Sequence, residues 1–134
     1  MLRFHKFTCG HGWCTDFGNP DVAEDFEYLY KDSPIHNVAS FEAKSVGLDN
    51  DHSGFPAFLL TMGDHDGRVA PLHSLKLKAE VQHKLGSHPD LKNPLLIRIE
   101  TKAGHGAGKP TSKVLQEAAD IYAYMGWALG AKFV

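Results

Sequence analysis

The chain has 134 residues, of which 43% are hydrophobic, and its formal net charge at pH 7 is −2. A domain of this size can bury about two thirds of the surface that its unfolded chain exposes, so length and composition do not exclude a single globular domain. The net charge is close to zero and the sequence has no basic stripe. It therefore lacks the charge pattern of a protein that binds nucleic acid or an anionic membrane.

Residues 1–18 are rich in aromatic side chains and glycine but have no sustained period, which predicts a loop with at most one helical turn. This start lacks the apolar core of a secretory signal, and no apolar run is long enough to span a bilayer. A cytoplasmic location, with no membrane partner, is therefore expected.

Cys9 and Cys14 flank His11 in this first stretch, so a metal site built from two thiols and an imidazole is conceivable. Structural zinc sites usually take four ligands in paired short spacings, and the sequence has no second cysteine pair. Disulfides are also rare in cytosolic proteins. We therefore expect two free thiols, no metal and no cofactor.

A helix is predicted next, with Asn19 as its cap and Pro20 at its first position, ending near Ser33. Four side chains form its predicted apolar face: Val22, Phe26, Leu29 and Tyr30. The stretch 39–54 is polar and contains glycine, and it is interpreted as a surface loop.

Two short apolar runs predict strands, one from about Ala57 to Met62 and the other beginning at Leu95. Between them, Pro71 begins a predicted helix that runs to about Leu85 and stops at Gly86. Its apolar residues form two stripes, Leu72, Leu75 and Ala79 on one side and Leu77, Val81 and Leu85 on the other. A helix that is apolar on two faces is usually buried on both, so one face would need a partner that this chain does not supply.

The last predicted helix is capped by Thr111 or Ser112 and ends at Gly130. Five of its side chains are predicted to face inward: Val114, Ala118, Ile121, Met125 and Leu129. The predicted order from residue 55 onward is therefore strand, helix, strand, helix, which is typical of an α/β fold with parallel strands.

Each predicted strand ends in a polar turn. An Asp-His-Asp run, residues 64–66, follows the first strand, and His105 follows the second in a loop with glycines at 104, 106 and 108. If the strands are parallel neighbours, their carboxyl ends lie at one edge of the sheet, roughly 5 Å apart. An acid from the first turn could then reach His105, and Asp before His is the order in which an α/β-hydrolase presents the last two members of its triad.

Other interpretations of these two turns remain open. The glycines around His105 leave its ring little obstructed, as a catalytic base requires, but they could equally form a strand-to-helix turn that happens to contain a histidine. The 64–66 run could be a metal cluster or a solvated turn. A phosphate-binding P-loop is excluded, because Pro110 stands where a serine or threonine should follow the lysine.

Three runs of the chain closely resemble the carboxyl-terminal part of the peptidase domain of the prolyl oligopeptidase (prolyl endopeptidase) family, which are serine peptidases with an α/β-hydrolase fold. The runs are MLRFHKFTCGHGWCTDFGNPD, GDHDGRVAPLHSLK and NPLLIRIETKAGHGAGKPTSKV. The resemblance implies one incomplete α/β-hydrolase domain over residues 1–134. A pocket loop and helix occupy 1–38, and a strand–helix–strand–helix unit that carries the acid and the base occupies 55–134. The stretch 39–54 looks longer than the family's usual connection.

The resemblance also implies roles for single residues in the two turns. Asp66 aligns with the triad aspartate and His105 with the triad histidine. Asp64 and His65 align with motif positions that are not catalytic. Gly67 stands where the family frequently has a second aspartate, which leaves Asp66 as the only carboxylate in register.

Four further residues align with substrate-binding positions of the family. Trp13 corresponds to a tryptophan that stacks on the proline ring of the substrate. Phe17 stands where a tyrosine usually lines the same pocket, so a contact made by that hydroxyl is lost here. Arg68 corresponds to an arginine that hydrogen-bonds the substrate backbone, and Val69 corresponds to a pocket wall.

The G-x-S-x-G elbow that carries the nucleophile of an α/β-hydrolase is absent from the sequence. The resemblance therefore implies part of a serine endopeptidase that cleaves peptides after proline, with proline-containing oligopeptides as substrates. The nucleophile, the oxyanion hole and the propeller domain would then come from an amino-terminal part of the protein. The alternative is a catalytically inactive stand-alone remnant or interaction module, and the 134 residues alone are expected to be inactive.

Overall fold

The structure, a computed structural model of the chain, describes residues 1–38, 55–87, 91 and 93–131. The surface loop predicted for 39–54 lies outside the described residues. The elements include α1 (Cys14–Phe17), α2 (Ala23–Lys31), β1 (Phe58–Gly63), α3 (Leu72–Leu85), β2 (Leu95–Glu100) and α4 (Thr111–Ala128). In the described part of the chain, the helices are too short or too polar to cross a membrane.

The two strands form a parallel pair, with Phe58 opposite Leu95 and Gly63 opposite Glu100. The strand–helix–strand order predicts this pairing, and the structure confirms it. β1 lies one residue later than the sequence indicates. The ladder continues for one bond past the strands, because the N–H of Asp64 donates to the carbonyl of Glu100 at 3.1 Å. The segments that follow β1 and β2 therefore leave the sheet together, at one edge.

Helix α3 connects β1 to β2 and packs against both strands. Its bounds agree with the prediction, because the φ of −52° at Pro71 suits a helix start and Gly86 caps the end. Val81 and Leu85 are almost fully buried and form the main apolar core with Val38 and Phe55. Burying such a side chain stabilises the fold by about 1.5–3 kcal/mol.

The second apolar stripe of α3 is not buried in the same way. Leu75 on that stripe is 45% exposed, and Ala79 is exposed as well. Within the described residues, α3 therefore buries one apolar stripe and leaves the other without cover from this chain, in agreement with the sequence-based expectation that one face would need a partner.

Helix α2 begins at Ala23, so the predicted start at Pro20 is wrong. The side chain of Asn19 accepts a hydrogen bond from the N–H of Asp21 at 3.0 Å, and its carbonyl accepts one from the N–H of Val22 at 2.9 Å. These bonds make a turn around Asn19 instead of a helix cap, an alternative that asparagine side chains commonly stabilise. Of the four predicted apolar-face residues, only one is buried: Leu29.

The amino-terminal segment forms more regular structure than predicted. Two 3₁₀ turns, Phe4–Lys6 and Gly10–Trp13, precede α1. They pack so closely that a Cβ at Gly10 would lie 2.0 Å from a backbone oxygen of the first turn. The hydroxyl of Thr8 donates to the carbonyl of Arg68 at 2.7 Å, which ties this segment to the turn after β1.

Helix α4 does not face inward as predicted. None of its residues is buried, and Leu129 just beyond it is 79% exposed. Neither Thr111 nor Ser112 caps the start, where Pro110 precedes the first helical residue. The predicted end is correct, because Gly130 has a φ of +65°, the left-handed conformation that glycine favours after a helix.

Charged side chains hold α4 to the rest of the described chain. Nε of Arg98, on β2, donates to Oδ2 of Asp120 at 2.7 Å. Nζ of Lys109 lies 2.7 Å from Glu117, and Nζ of Lys113 lies 2.9 Å from Glu100. The hydrogen bond to Asp120 is the largest of the effects that raise the pKa of Arg98.

Candidate active site

The turn after β1 and the loop after β2 bring an acid and an imidazole together. Nδ1 of His105 lies 2.7 Å from Oδ2 of Asp66. The other carboxylate oxygen accepts the backbone N–H groups of Arg68 at 2.9 Å and Val69 at 2.8 Å. The Asp66 side chain is 9% exposed and that of His105 is 49% exposed, so the acid is enclosed and the ring reaches the surface.

These contacts set the ionisation state of Asp66. Burial acts to raise the pKa of Asp66, but the hydrogen bonds from His105 and from the amides of Val69 and Arg68 outweigh it and hold the pKa below the ordinary value. An ionised carboxylate only accepts hydrogen bonds, so Nδ1 of His105 must be the donor. In a neutral ring, Nε2 then carries no proton and can accept one.

A second acid–imidazole pair lies in the same turn. Nδ1 of His65 is 2.6 Å from Oδ1 of Asp64, and that oxygen also accepts the N–H of Ala103 at 3.2 Å. The pKa of Asp64 is lowered, chiefly by the bond from His65. His65 is 72% exposed and neighbours its acid in sequence, so only the Asp66–His105 pair joins side chains from two strand ends. Across the described ranges, no group of three or more His, Cys, Asp and Glu side chains could hold a metal ion.

Glycine permits the close approach of the two turns. A Cβ at Gly63 would lie 2.4 Å from the carbonyl oxygen of Ala103 and 2.5 Å from that of Gly104. Any side chain at this position would therefore push the His105 loop away from the end of β1. Beyond His105, Gly106 takes a φ of +126°, which L residues rarely adopt.

A cavity of about 600 Å³ lies between the amino-terminal segment, α3 and the turn after β1. All four residues that the sequence assigns to substrate binding line it: Trp13, Phe17, Arg68 and Val69. The ring of Phe17 packs edge-to-face on the ring of Phe4, with centroids 6.0 Å apart, and its carbonyl accepts a hydrogen bond from Tyr28. The walls are mostly apolar and the volume is in the range of small-ligand sites.

Arg68 and Val69 connect the acid–imidazole pair to the cavity. Their backbone amides bind Asp66, while their residues line the cavity wall. The carbonyl of Arg68 is held in turn by the hydroxyl of Thr8. A shift of Asp66 would therefore move two residues of the cavity wall.

Sequence reasoning did not identify several residues of this site. Phe7, Leu72 and His73 also line the cavity, and the rings of Phe7 and His73 meet edge-to-face at 6.0 Å. Burial is the largest of the effects that lower the pKa of His73. Residues so far apart along the chain carry no shared sequence pattern, because only the packing of the first segment on α3 brings them together.

The chain is similar to several known proteins. Residues 1–132 match the family model described as the prolyl oligopeptidase family. Prolyl oligopeptidase A of Galerina marginata is 45% identical over 130 residues, which are 97% of this chain and 16% of that protein. Prolyl endopeptidase of Elizabethkingia miricola is 44% identical over 133 residues, which are 98% of this chain and 17% of that protein.

Solved structures agree with the sequence matches. A mutant of prolyl oligopeptidase B from Galerina marginata, bound to a 35-residue hydrolysis and macrocyclization substrate, superposes with a TM-score of 0.79 at 40% identity. The superposition covers 100% of this chain and 17% of that one. The chain thus spans about one sixth of the length of the relatives that it matches.

Proposed function

Because the chain belongs to the prolyl oligopeptidase family, we propose that it supplies the acid and the base of a serine peptidase triad, together with part of a proline pocket. Its strands and helices are a portion of the α/β-hydrolase fold of that family's peptidase domain. The 2.7 Å bond between Asp66 and His105, next to an apolar cavity, is the observation that carries the proposal.

In the proposed reaction, Asp66 keeps the proton of His105 on Nδ1 and stabilises the imidazolium that forms. Nε2 of His105 takes the proton of a serine hydroxyl as the oxygen attacks the peptide carbonyl, and later gives it to the leaving amine. The sequence has no G-x-S-x-G elbow, so the serine is assigned to the part of the protein that the relatives possess beyond this segment.

The cavity is the proposed site for the substrate's proline. Trp13 offers a flat aromatic face for the proline ring, and Val69 closes the wall beside it. Arg68, which lines the cavity, is the proposed hydrogen-bond donor to the peptide backbone. Phe17 lines the cavity without the hydroxyl that a tyrosine would bring, so binding there depends on apolar contact alone.

A chimera tests this proposal. Replacing the matching segment of the Elizabethkingia miricola prolyl endopeptidase by these 134 residues joins the proposed acid, base and pocket to that protein's remaining sequence. We expect the chimera to hydrolyse a chromogenic proline-containing peptide and to lose that activity with His105→Ala. A serine-directed organophosphate should label the relative's portion only, and the 134 residues alone should be neither active nor labelled.

Two results would contradict the proposal. Labelling of a serine within the 134 residues would show that the nucleophile lies in this chain. A correctly folded chimera without turnover would instead support the alternative of an inactive remnant or interaction module. Circular dichroism and gel filtration of the chimera separate that second result from simple misfolding.

A further inference from the structure

The chain changes register between the sheet and the acid–imidazole pair. In the sheet, Gly63 lies opposite Glu100, so partners are 100 − 63, or 37, positions apart. Beyond the sheet, Asp66 and His105 are 39 positions apart, and so are the partners Asp64 and Ala103. The loop after β2 must therefore absorb two additional residues before His105 can reach Asp66.

The additional residues are absorbed at 101–102, in a strained conformation. Lys102 has a φ of +52°, in the left-handed region that residues other than glycine rarely adopt because it strains their backbone. Such a conformation persists only where surrounding contacts enforce it. The contacts on its carboxyl side are therefore decisive for the position of the loop.

Those contacts converge on Ala103, which is only 6% exposed. Its carbonyl accepts the N–H of His65 at 3.0 Å, and its N–H donates to Oδ1 of Asp64 at 3.2 Å. The Asp64 carboxylate thus replaces the backbone acceptor that a continuing strand would have offered. It makes the first bond in the shifted register, and the Asp66–His105 bond follows two residues later on both segments.

We propose that Asp64 is a positioning residue for His105: its carboxylate holds Ala103 in the register that lets His105 meet Asp66. The role rests on the proposed function, because His105 acts as a base only in that reaction. The Asp64 carboxylate binds His65 and Ala103, and Asp64 is not among the described residues that line the cavity. Its effect should therefore be on turnover and not on substrate binding.

The side-chain bonds between this loop and α4 cannot set this register. Nζ of Lys113 donates to the carbonyl of Thr101, and Lys109 pairs with Glu117 at 2.7 Å. Both bonds join the loop to α4 or to residues leading into it. Neither links the loop to the turn after β1, where Asp66 lies.

The experiment compares Asp64→Ala, Asp64→Asn and His65→Ala in the chimera described above. Hydrogen exchange of the peptide containing Lys102 and Ala103, read by mass spectrometry, reports the proposed bond directly. For Asp64→Ala we expect exchange to be about tenfold faster, as for loss of one hydrogen bond to a charged group. We also expect kcat to fall by about tenfold with KM within about twofold, because only the placement of the base changes.

The other two variants identify the group responsible. Asparagine keeps an acceptor oxygen, so Asp64→Asn should stay within about threefold of the parent in both exchange and kcat. His65→Ala leaves the Asp64 carboxylate in place, so its exchange and kcat should also stay within about threefold of the parent. Unchanged exchange in Asp64→Ala, or equal losses in His65→Ala and Asp64→Ala, would overturn the proposal. If Asp64→Ala does not fold, tenfold faster exchange in folded Asp64→Asn overturns it.

Failure of this inference can be told from failure of the proposed function. Asp66→Asn should lower turnover by about 10⁴-fold yet leave the exchange of Ala103 unchanged, because it alters a contact that lies further along both segments. If the chimera is folded but inactive, loop exchange still tests the bond to Asp64. The two conclusions therefore depend on separate measurements.

Discussion

Two neighbouring regions of this molecule are held in place by different kinds of contact. In the sheet-edge region, residues 63–69 and 101–105, backbone and side-chain groups of two turns bind one another, and Asp66 uses both carboxylate oxygens. Helix α4 follows directly, yet it is held to the rest of the described chain by ion pairs and by hydrogen bonds from Lys113 and Tyr124 to the carbonyls of Thr101 and Pro94. Three of its apolar side chains are more than 60% exposed: Leu115 at 65%, Tyr122 at 69% and Trp127 at 64%.

The difference shows which parts depend on the chain's own contacts. The sheet-edge region is enclosed by hydrogen bonds between turns that lie at adjacent strand ends, so 134 residues suffice to organise it. Large apolar side chains that a folded chain leaves exposed together commonly belong to a surface that contacts another protein segment. We propose that the part of the peptidase domain that the longer relatives possess beyond this segment covers α4.

The largest expected effect lies in the sheet-edge region. In the chimera, Asp66→Asn should lower turnover of a proline-containing peptide by about 10⁴-fold, because the amide no longer enforces the right tautomer of His105. His105→Ala should be at least as damaging, since the base itself is lost. The assay is steady-state hydrolysis of the chromogenic peptide. If Asp66→Asn keeps activity within tenfold of the parent while Asp64→Asn is inactive, the assignment of the triad acid to Asp66 is wrong.

Two tryptophans sharpen the comparison. Trp13→Ala should lower kcat/KM for proline substrates by about 10–200-fold, as expected for lost apolar pocket contacts. Trp127→Ala removes the same side chain from α4, outside the described cavity lining, so it is the matched control and should leave the preference for proline over alanine unchanged. An unaltered preference in Trp13→Ala would mean that this ring only packs at the surface.

The ion pairs of α4 should matter for stability and not for chemistry. Arg98→Ala removes the guanidinium that contacts Asp120 and Glu100, and the local unfolding free energy of α4 should fall by about 2 kcal/mol. Hydrogen exchange of the α4 amides measures this change. Arg98→Lys keeps the charge but not the planar guanidinium. The unfolding free energy of α4 in this variant should therefore lie between that of the parent and that of Arg98→Ala. Equal protection in all three proteins would refute the role of this contact.

The exposed surface of α4 predicts the behaviour of the 134 residues alone. They should tend to associate and to bind a hydrophobic dye, and Leu115→Lys should reduce dye binding by about half, since it interrupts an exposed apolar surface. Ser112→Lys makes the same charge change at an already polar position and should have little effect. A monodisperse monomer that binds no dye would argue that α4 needs no cover.

Acid should loosen α4 only at low pH. The hydrogen bond from Lys113 lowers the pKa of Glu100 most, and the bond from Arg98 lowers it further. The bond from Arg98 also lowers the pKa of Asp120. A carboxylate with a lowered pKa contributes stability above its unfolded pKa of about 4, and the contribution disappears as pH falls through the folded value. Exchange of α4 amides, corrected for intrinsic rates, should therefore be unchanged from pH 7 to 5. A marked rise within that interval would contradict this assignment.

The sequence alone predicts much of this architecture, because local rules decide it. The strands at Phe58–Gly63 and Leu95–Glu100 follow from short apolar runs, and their parallel pairing follows from the helix between them. Proline and glycine mark the bounds of α3 for steric reasons that act within one turn. The family resemblance then selects Asp66 and His105 among several acids and nine histidines. Their catalytic roles remain predictions, which the variants described above test.

Other features were decided by tertiary contacts that no local pattern reveals. Asn19 fits a helix cap by sequence, but its side chain binds Asp21 instead, and α2 starts at Ala23. The apolar stripe of α4 suggests an inward face, yet burial depends on what lies opposite, and here charged residues hold the helix. The two-residue change of register at Lys102, and with it the contact of Asp64 with Ala103, exists only because two turns meet at one edge of the sheet. Sequence thus determines which chemical groups follow each strand, whereas their distances depend on packing between segments almost forty residues apart.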